Sequence, residues 1–365
     1  MKASFGTLQK RGNFWKNRRV FITGHTGFKG GWLCFWLSQL GARVTGYSLS
    51  PPTTPNFFAS VGVADIITAH HQGDVRHSKT LTQAIKRAQP EIIFHLAAQP
   101  LVRESYLQPA LTYHTNVIGV VNVLEAMRQT ESAAAAVIVT SDKCYENARR
   151  GHACRETDIL GGHDPYSSSK ACAEIAVSSL RRSFFSDDNA AGVATARAGN
   201  VIGGGDWAQD RIIPDAARAF AAGKTLHVRN PLAVRPWQHV LEPLAGYLSL
   251  AEHLYREPRR YGEAWNFGPF AASIKPVSKV VQLAKDAWGK NTDSKIISDQ
   301  GYHESAWLKL DSSKAKKLGW KPRLSLAHAV NMSIEWYQAF YTSHNSNQLK
   351  SLSLRHLKEY EDAAN

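Results

Sequence analysis

The residues best equipped for chemistry lie between positions 137 and 170. Val137-Ile138-Val139-Thr140 is a short β-branched run of the kind that forms a buried parallel strand. Ser141, Asp142, Lys143, Cys144 and Tyr145 follow at once. So many functional side chains at the end of a buried strand are poor core material and suit the carboxyl edge of an open α/β sheet, where ligands bind. Some twenty residues on, Pro165 is placed to start a helix, which puts Tyr166 and Lys170 on one face at i and i+4.

That spacing sets the Cβ atoms roughly 5–6 Å apart. A phenol titrates near 10 in water, too high for a base at neutral pH. An ammonium about 4 Å away favours the phenolate by at most ~4 kcal/mol at an effective dielectric near 20. The expectation is a phenol lowered by up to ~3 pKa units, within reach of pH 7. A tyrosine four residues before a lysine on a solvated helix has the same spacing, so the pair argues only together with its surroundings.

Those surroundings are an alternating α/β pattern. Arg19 to Thr23 reads as a strand running into Gly24-His25-Thr26-Gly27-Phe28-Lys29-Gly30, a GxxGxxG turn. Leu33, Trp36, Leu37 and Leu40 recur with helical spacing, predicting an amphipathic helix stopped at Gly41. A second strand covers Arg43 to Ser48. Strand, glycine turn, helix, strand is the context of a dinucleotide site, in which backbone N–H groups at a helix N-terminus meet a pyrophosphate. The acidic residue that holds the adenosine ribose is missing: Ser48-Leu49-Ser50-Pro51-Pro52 offers neither an acid nor an arginine. The choice between NAD and NADP stays open on this feature.

Further strands are expected around Ile66 and Ile67 up to Gly73-Asp74-Val75, over Glu91 to Leu96, and over Gly192 to Arg197. The fold class is a Rossmann-type, doubly wound α/β sheet of six to seven parallel strands. After Asn200 the chain becomes rich in Gly, Asp, Arg, Trp and Pro up to Trp237, which suits loops clamping an anionic, ring-bearing ligand or, alternatively, a small packed lobe. Helices are expected over Val240–Tyr255, Pro276–Trp288, Asp311–Leu318 (Asp311 as N-cap, Gly319 as stop) and Leu324–Tyr341. The expected division is a dinucleotide domain, 1–200 plus about 237–268, a smaller α/β substrate lobe, about 201–236 plus 269–345, and a peripheral tail, 346–365.

Composition excludes several classes. With 43% hydrophobic and 20% charged residues in 365, the chain has the profile of a soluble globular protein. Apolar runs fall short of the ~20 residues of a membrane span, and the basic start lacks a signal-peptide core. Cys34, Cys144, Cys154 and Cys172 show no CxxC spacing, so a reduced, cytoplasmic protein is expected. The net charge is +14, but the basic residues are scattered in pairs such as Arg149-Arg150. A field drawing in small anions is expected rather than nucleic-acid binding. His95, His114 and His163 stand apart without metal-ligand spacing, so no metal is expected.

Six stretches carry a resemblance: GHTGFKGGW from Gly24, PPTTPNFF from Pro51, TSDKCYEN from Thr140, GGHDPYSSSKACAE from Gly161, RAGNVIGGGDW from Arg197 and RPWQHVLEPL from Arg235. Over most of residues 20 to 320 the chain resembles the extended short-chain dehydrogenase/reductases, and within them the CDP-sugar branch of the nucleotide-sugar 4,6-dehydratases. The resemblance implies NAD held as an internal hydride store and CDP-D-glucose as substrate. Tyr166, helped by Lys170 and Ser141, would take the O4 proton. Asp142 would be the acid and Lys143 the base of the elimination across C5 and C6, where the dTDP branch has glutamate at the second position. A lysine serving as base must be buried or near another cation, for which Lys170 is the candidate. A purely electrostatic role for Lys143 at the C4 enolate is the alternative.

Candidate cofactor residues are Gly24, Thr26, Gly27, Phe28, Gly30, Asp74 (expected to accept from the adenine amino group), Val75, Leu96, Ala97, Ala98, Gln99 and Asn116, besides Tyr166 and Lys170. Candidate substrate residues are Ser141, Asn200, Asp206, Trp207, Arg211, Arg229, Arg235 and His239. The resemblance also implies a homodimer through the helices carrying Val120 and Tyr166, with a tetramer open, and deoxysugars of O-antigen lipopolysaccharide as destination. A nucleotide-sugar epimerase on the same scaffold would need Tyr166, Lys170 and NAD but has no use for Asp142 and Lys143. A non-catalytic NAD(P)-sensing protein would not need the tyrosine–lysine pair.

Overall fold

The computed structural model describes residues 13–146, 152–188, 190–290, 292–297, 307–343 and 345–363. Arg149-Arg150 and the first twelve residues lie outside them. Seven strands form one sheet: β1 (Arg19–Thr23), β2 (Arg43–Ser48), β3 (Ala69–Gln72), β4 (Ile92–His95), β5 (Ala135–Val139), β6 (Gly192–Ala198) and β7 (Ala264–Phe267). Their order is β7-β6-β5-β4-β1-β2-β3, and every pairing is parallel. The order reverses between β1 and β4, the place where a doubly wound sheet opens a crevice.

Nine helices matter for the site: α1 (Phe28–Gln39), α2 (Ser78–Ala88), α3 (Gly119–Arg128), α4 (Pro165–Phe184), α5 (Ile212–Ala221), α6 (Leu241–Arg256), α7 (Val277–Trp288), α8 (Leu326–Ser343) and α9 (Ser346–Asp362). Alternation along the strands decides what covers each face. Val20 and Ile22 of β1 and Val137 of β5 pack with Trp32 and Trp36 of α1 and Leu244 and Leu248 of α6. Phe21 and Ile138 face the other way, onto Leu81 and Ile85 of α2, Val123 of α3 and Val177 of α4. Each such side chain contributes roughly 1.5–3 kcal/mol by leaving water.

Four expectations change. Helix α1 is not amphipathic, because all eight residues from Gly30 to Leu37 are buried. The reason is distant in sequence. Helix α9, expected as a peripheral tail, buries Leu349, Leu352, Leu357 and Tyr360 in the main core. Its Tyr360 ring meets Trp36 edge-on at 5.8 Å, and the Trp36 indole N–H donates to Glu361 at 2.9 Å. Ile66 and Ile67 precede β3 instead of forming it. The helix expected from Asp311 runs from Ser313 to Lys317; Asp311 accepts from the Ser313 backbone N–H at 2.8 Å, and Gly319 closes the segment at φ +84°.

The chain from 201 to 236 adds short paired strands, Leu226–Val228 with Ser294–Ile296 and Val234–Pro236 with Ile274–Pro276. His227, Val228 and Arg235 of these strands line one large cleft together with the start of α5 and Val277 of α7.

Candidate active site

The cleft has a volume of about 1060 Å³. One end is built by the glycine turn between β1 and α1. Gly24 has φ +75°, and a Cβ there would stand 2.6 Å from the Ala97 nitrogen. A Cβ on Gly30 would stand 2.1 Å from the Gly24 carbonyl oxygen. Gly27 leaves the start of α1 without a side-chain cap, so its first N–H groups are open to an anion. Thr26 ties the turn to the end of β2, its hydroxyl 2.9 Å from Ser48 Oγ and donating to the Leu49 carbonyl at 3.0 Å. These constraints leave a cradle that only a backbone-lined ligand fits, which is what a dinucleotide pyrophosphate requires.

Phe28, Asp74, Val75, Leu96, Ala97, Ala98 and Gln99 line the same end. Asp74 accepts from the Arg76 guanidinium at 2.9 and 3.0 Å and from its backbone N–H at 2.9 Å. Burial would raise this carboxyl, but the Arg76 hydrogen bonds prevail and hold it below the usual range. Gln99 spends its side chain on Leu101 and Thr112. Asn116 does not line the cleft. It lies behind the wall, bonded to both the N–H and the carbonyl of Gln99 and to Ser169 Oγ, and so braces that loop against α4.

At the other end β5 delivers Ser141, Asp142 and Lys143. Ser141 caps a short 3₁₀ turn by accepting from the Lys143 N–H at 3.2 Å and donates to Asp142 Oδ1 at 3.1 Å. Lys143 Nζ stands 3.4 Å from the same oxygen. Asp142 is buried, and its Oδ2 has no partner among the described residues, an acceptor left for a ligand. Helix α4 starts as expected with Pro165, behind an Asp164 cap that accepts from the Ser167 N–H at 2.9 Å.

Tyr166 and Lys170 are both buried on that helix and both line the cleft, but they are not coupled as expected. Burial pushes the Tyr166 phenol up to about 12; the Ser141 hydroxyl opposes this, Asp142 adds to it, and Arg211 is the cation that lowers it. Lys170 is not among the main causes of that balance. Its ammonium reaches the Val139 carbonyl at 3.4 Å, and burial pulls it down to about 8, with Glu174 one turn later resisting.

Behind the catalytic edge runs a buried network that sequence reasoning missed. Glu174 accepts from the hydroxyls of Thr140 and Thr195 (2.7 Å for the latter) and from Arg197 at 2.8 Å. Arg197 also donates to the Tyr145 hydroxyl at 2.7 Å, which donates in turn to Asn266 at 2.7 Å. The signal was an acid four residues after Lys170, which on a solvated helix reads as a surface ion pair.

On the far wall Asn200, Asp206, Arg211, Arg229 and Arg235 line the cleft. Arg211 pairs with Asp206 at 2.8 Å, and Arg229 pairs with Asp210. The Asn200 Oδ1 atom is buried without a partner among the described residues. Trp207 and His239 are not in the wall. Trp207 packs edge-on against Trp336, Tyr337 and Phe340, and His239 lies buried against Trp32. Their apolar partners come from α8 and α1, which is why a loop rich in arginine and glycine misled.

The cleft lining also includes residues that were not expected there, among them Lys29, Arg76 and His163. His95 is buried with Nδ1 2.7 Å from Thr23 Oγ1, and burial takes it down to about 3. Among the described residues His152, Cys154 and Asp158 bring ligand atoms within 4.8 Å of one another. The Asp158 oxygen is already used by His152 at 2.6 Å and the Arg155 N–H at 2.9 Å.

Comparison with known proteins agrees with this geometry. The chain is 47% identical over 333 residues to CDP-glucose 4,6-dehydratase of Salmonella typhimurium, covering 90% of this chain and 92% of that one. It is 26% identical to dTDP-glucose 4,6-dehydratase of Xanthomonas campestris, over 87% of this chain and 92% of the relative. Its fold matches dTDP-glucose 4,6-dehydratase of Bacillus anthracis, solved in complex with NAD, at TM-score 0.73 and 22% identity, over 91% and 100% of the two chains. UDP-glucose 4-epimerase of Thermotoga maritima matches at TM-score 0.74 and 21% identity, over 87% and 98%. The profile of the GDP-mannose 4,6 dehydratase family matches residues 21–333. With the parallel sheet, the glycine cradle and the tyrosine and lysine of α4 in one cleft, the chain belongs to that family of nucleotide-sugar dehydratases.

Proposed function

We propose that this protein is a CDP-D-glucose 4,6-dehydratase that uses a resident NAD and releases CDP-4-dehydro-6-deoxy-D-glucose and water. The observation that carries the reading is the Ser141-Asp142-Lys143 turn facing Tyr166 in the same cleft as the glycine cradle, in a chain 47% identical to an enzyme of that name. An epimerase has no work for Asp142 and Lys143, and the relative's identity favours the dehydratase.

In this reading Gly24, Gly27 and Gly30 admit the cofactor diphosphate, Thr26 and Phe28 border it, and Ala97 and Ala98 let the ring end approach. Bound NAD would take up the C4 hydrogen with its electron pair and return it at C6. Tyr166, with the Ser141 hydroxyl lowering its phenol, removes the O4 proton. Lys170 would hold the cofactor's ribose. The 4-ketone acidifies the proton on C5, which Lys143 removes. Asp142 protonates the C6 hydroxyl as it leaves.

A phenol at about 12 does not ionise at neutral pH by itself. A positive charge brought by the bound cofactor would add to that of Arg211 in favouring the phenolate, and the phenol proton would pass to the Ser141 oxygen as Ser141 passes its own to Asp142 Oδ1, leaving Asp142 protonated for its role as acid. The substrate's nucleotide and diphosphate fit the wall of Asn200, Arg211, Arg229 and Arg235. This assigns 1–200 plus about 237–268 to the cofactor and about 201–236 plus 269–345 to the substrate, with α9 joined to the cofactor part. A homodimer through α3 and α4 is part of the proposal.

The test is incubation of NAD-loaded protein with CDP-glucose, with UDP- and dTDP-glucose in parallel, followed by the ultraviolet absorbance that 4-keto sugars develop in alkali. Product from CDP-glucose supports the reading. Recovery of a CDP-hexose isomer with no keto product would replace it by the epimerase.

A further inference from the structure

Lys29 sits between the second and third glycines of the turn, at the second residue of α1, and has so far no role. It is half-buried and lines the cleft. Among the described residues its ammonium makes no hydrogen bond and no ion pair. The charged groups that act on it are Arg211, which precedes α5, Lys170 on α4, and Asp142 and Lys143 on the turn after β5. All four belong to the catalytic and substrate side, and none to the adenine side with Asp74 and Arg76. Lys29 thus shares the cleft with the charged groups of its catalytic and substrate side.

This is a costly place for a cation. Three other cations surround it, and the one carboxylate in reach, Asp142, already accepts from Ser141 and Lys143 through Oδ1. The first turn of a helix repels positive charge as well. Burial, followed by Arg211 and Lys170, pulls Lys29 down to about 7. Asp142 offsets that cost only in part, and an apolar side chain would serve the turn better. An anion entering between Lys29 and Arg211 removes the conflict.

We propose that Lys29 is a substrate-binding residue that, with Arg211, grips the diphosphate of the nucleotide sugar from the cofactor side of the cleft. The inference rests on the proposed function and adds a contact to it. It has a consequence that a plain surface lysine lacks. The free site holds Lys29 largely neutral at pH 8, and an anionic ligand restores its charge, so ligand binding takes up to about one proton from solvent.

The experiment is calorimetric titration of NAD-loaded protein with CDP at pH 8, in two buffers of different ionisation enthalpy. Wild-type protein takes up protons. Lys29→Met loses CDP affinity roughly tenfold or more and loses the uptake. Lys29→Arg, always charged, keeps affinity within a few-fold and also loses the uptake. NAD affinity, measured separately, stays as in wild type for both. Unchanged CDP affinity in Lys29→Met, uptake that persists in Lys29→Arg, or a loss confined to NAD would each overturn the assignment. If Lys29→Met fails to fold, the Lys29→Arg result decides alone. Wild-type turnover of CDP-glucose is measured alongside: its absence sinks the proposed function, whereas turnover with an indifferent Lys29 sinks only this contact.

Discussion

Arg197 on β6 donates to Glu174 on α4 at 2.8 Å, with both side chains only 3% exposed beneath the catalytic edge. The carboxylate also takes the hydroxyls of Thr140 and Thr195, so one side chain ties together α4, β6 and the residue before Ser141. Glu174→Ala leaves the arginine buried and unpaired. We expect a loss of about 3–5 kcal/mol in urea unfolding, far above the value of a surface pair. A loss under about 1 kcal/mol would mean that the network relaxes to solvent.

The base and the electrostatic roles of Lys143 separate by substitution. Lys143→Met is expected to lower kcat by roughly 10²–10⁴ and to stop solvent deuterium entering C5 of the product. Lys143→Arg keeps a cation that cannot accept a proton. It should fail equally if Lys143 is the base and should recover most turnover if charge alone matters. Wild-type turnover and isotope entry in Lys143→Met would remove the base assignment altogether.

Lys170 opposes folding while serving the site. Its folded value near 8 lies below the usual lysine value of 10.5, so the unfolded chain binds the extra proton between those pH values. Stability from this group therefore rises as pH climbs from about 8 to about 10.5, and is lowest at and below neutrality. Lys170→Met should make the cofactor-free protein more stable at pH 7 by about 1–3 kcal/mol and flatten that rise. The same variant should be nearly inactive. Thermal melts from pH 7 to 10.5 check the first statement, and turnover the second.

The glycine cradle predicts a selective failure. Gly30→Ala puts a Cβ into space now 2.1 Å from the Gly24 carbonyl oxygen. The turn must shift, at about 1–3 kcal/mol. NAD affinity, followed by quenching of intrinsic fluorescence, should fall roughly tenfold or more. CDP affinity should suffer less, because the arginines of the far wall are untouched.

What could be read without coordinates was what short spacing controls. Pro165, Tyr166 and Lys170 lie on one helix because four-residue spacing is a local matter, and the glycine turn follows from its flanking strand and helix. The errors came from partners far along the chain. Helix α1 is buried all round because α9 covers its outer side. Trp207 and His239 read as ligand contacts until α8 and α1 turned out to enclose them. The Tyr166–Lys170 coupling failed for a different reason: i and i+4 fix the helix face but not where a long side chain ends, and Lys170 ends at Val139. Lys29 was passed over because its glycine neighbours explained the motif without it.

The bond from the Trp36 indole to Glu361 joins residues 325 positions apart. A ribosome therefore finishes the glycine-turn helix long before it makes the residues that roof it. Until α9 emerges, Trp36 of α1 stays open to water or to a chaperone, and a nascent chain halted before α9 would hold the turn without its outer support. The ability to hold a nucleotide should accordingly appear late and abruptly during synthesis rather than when the first half of the sheet is complete.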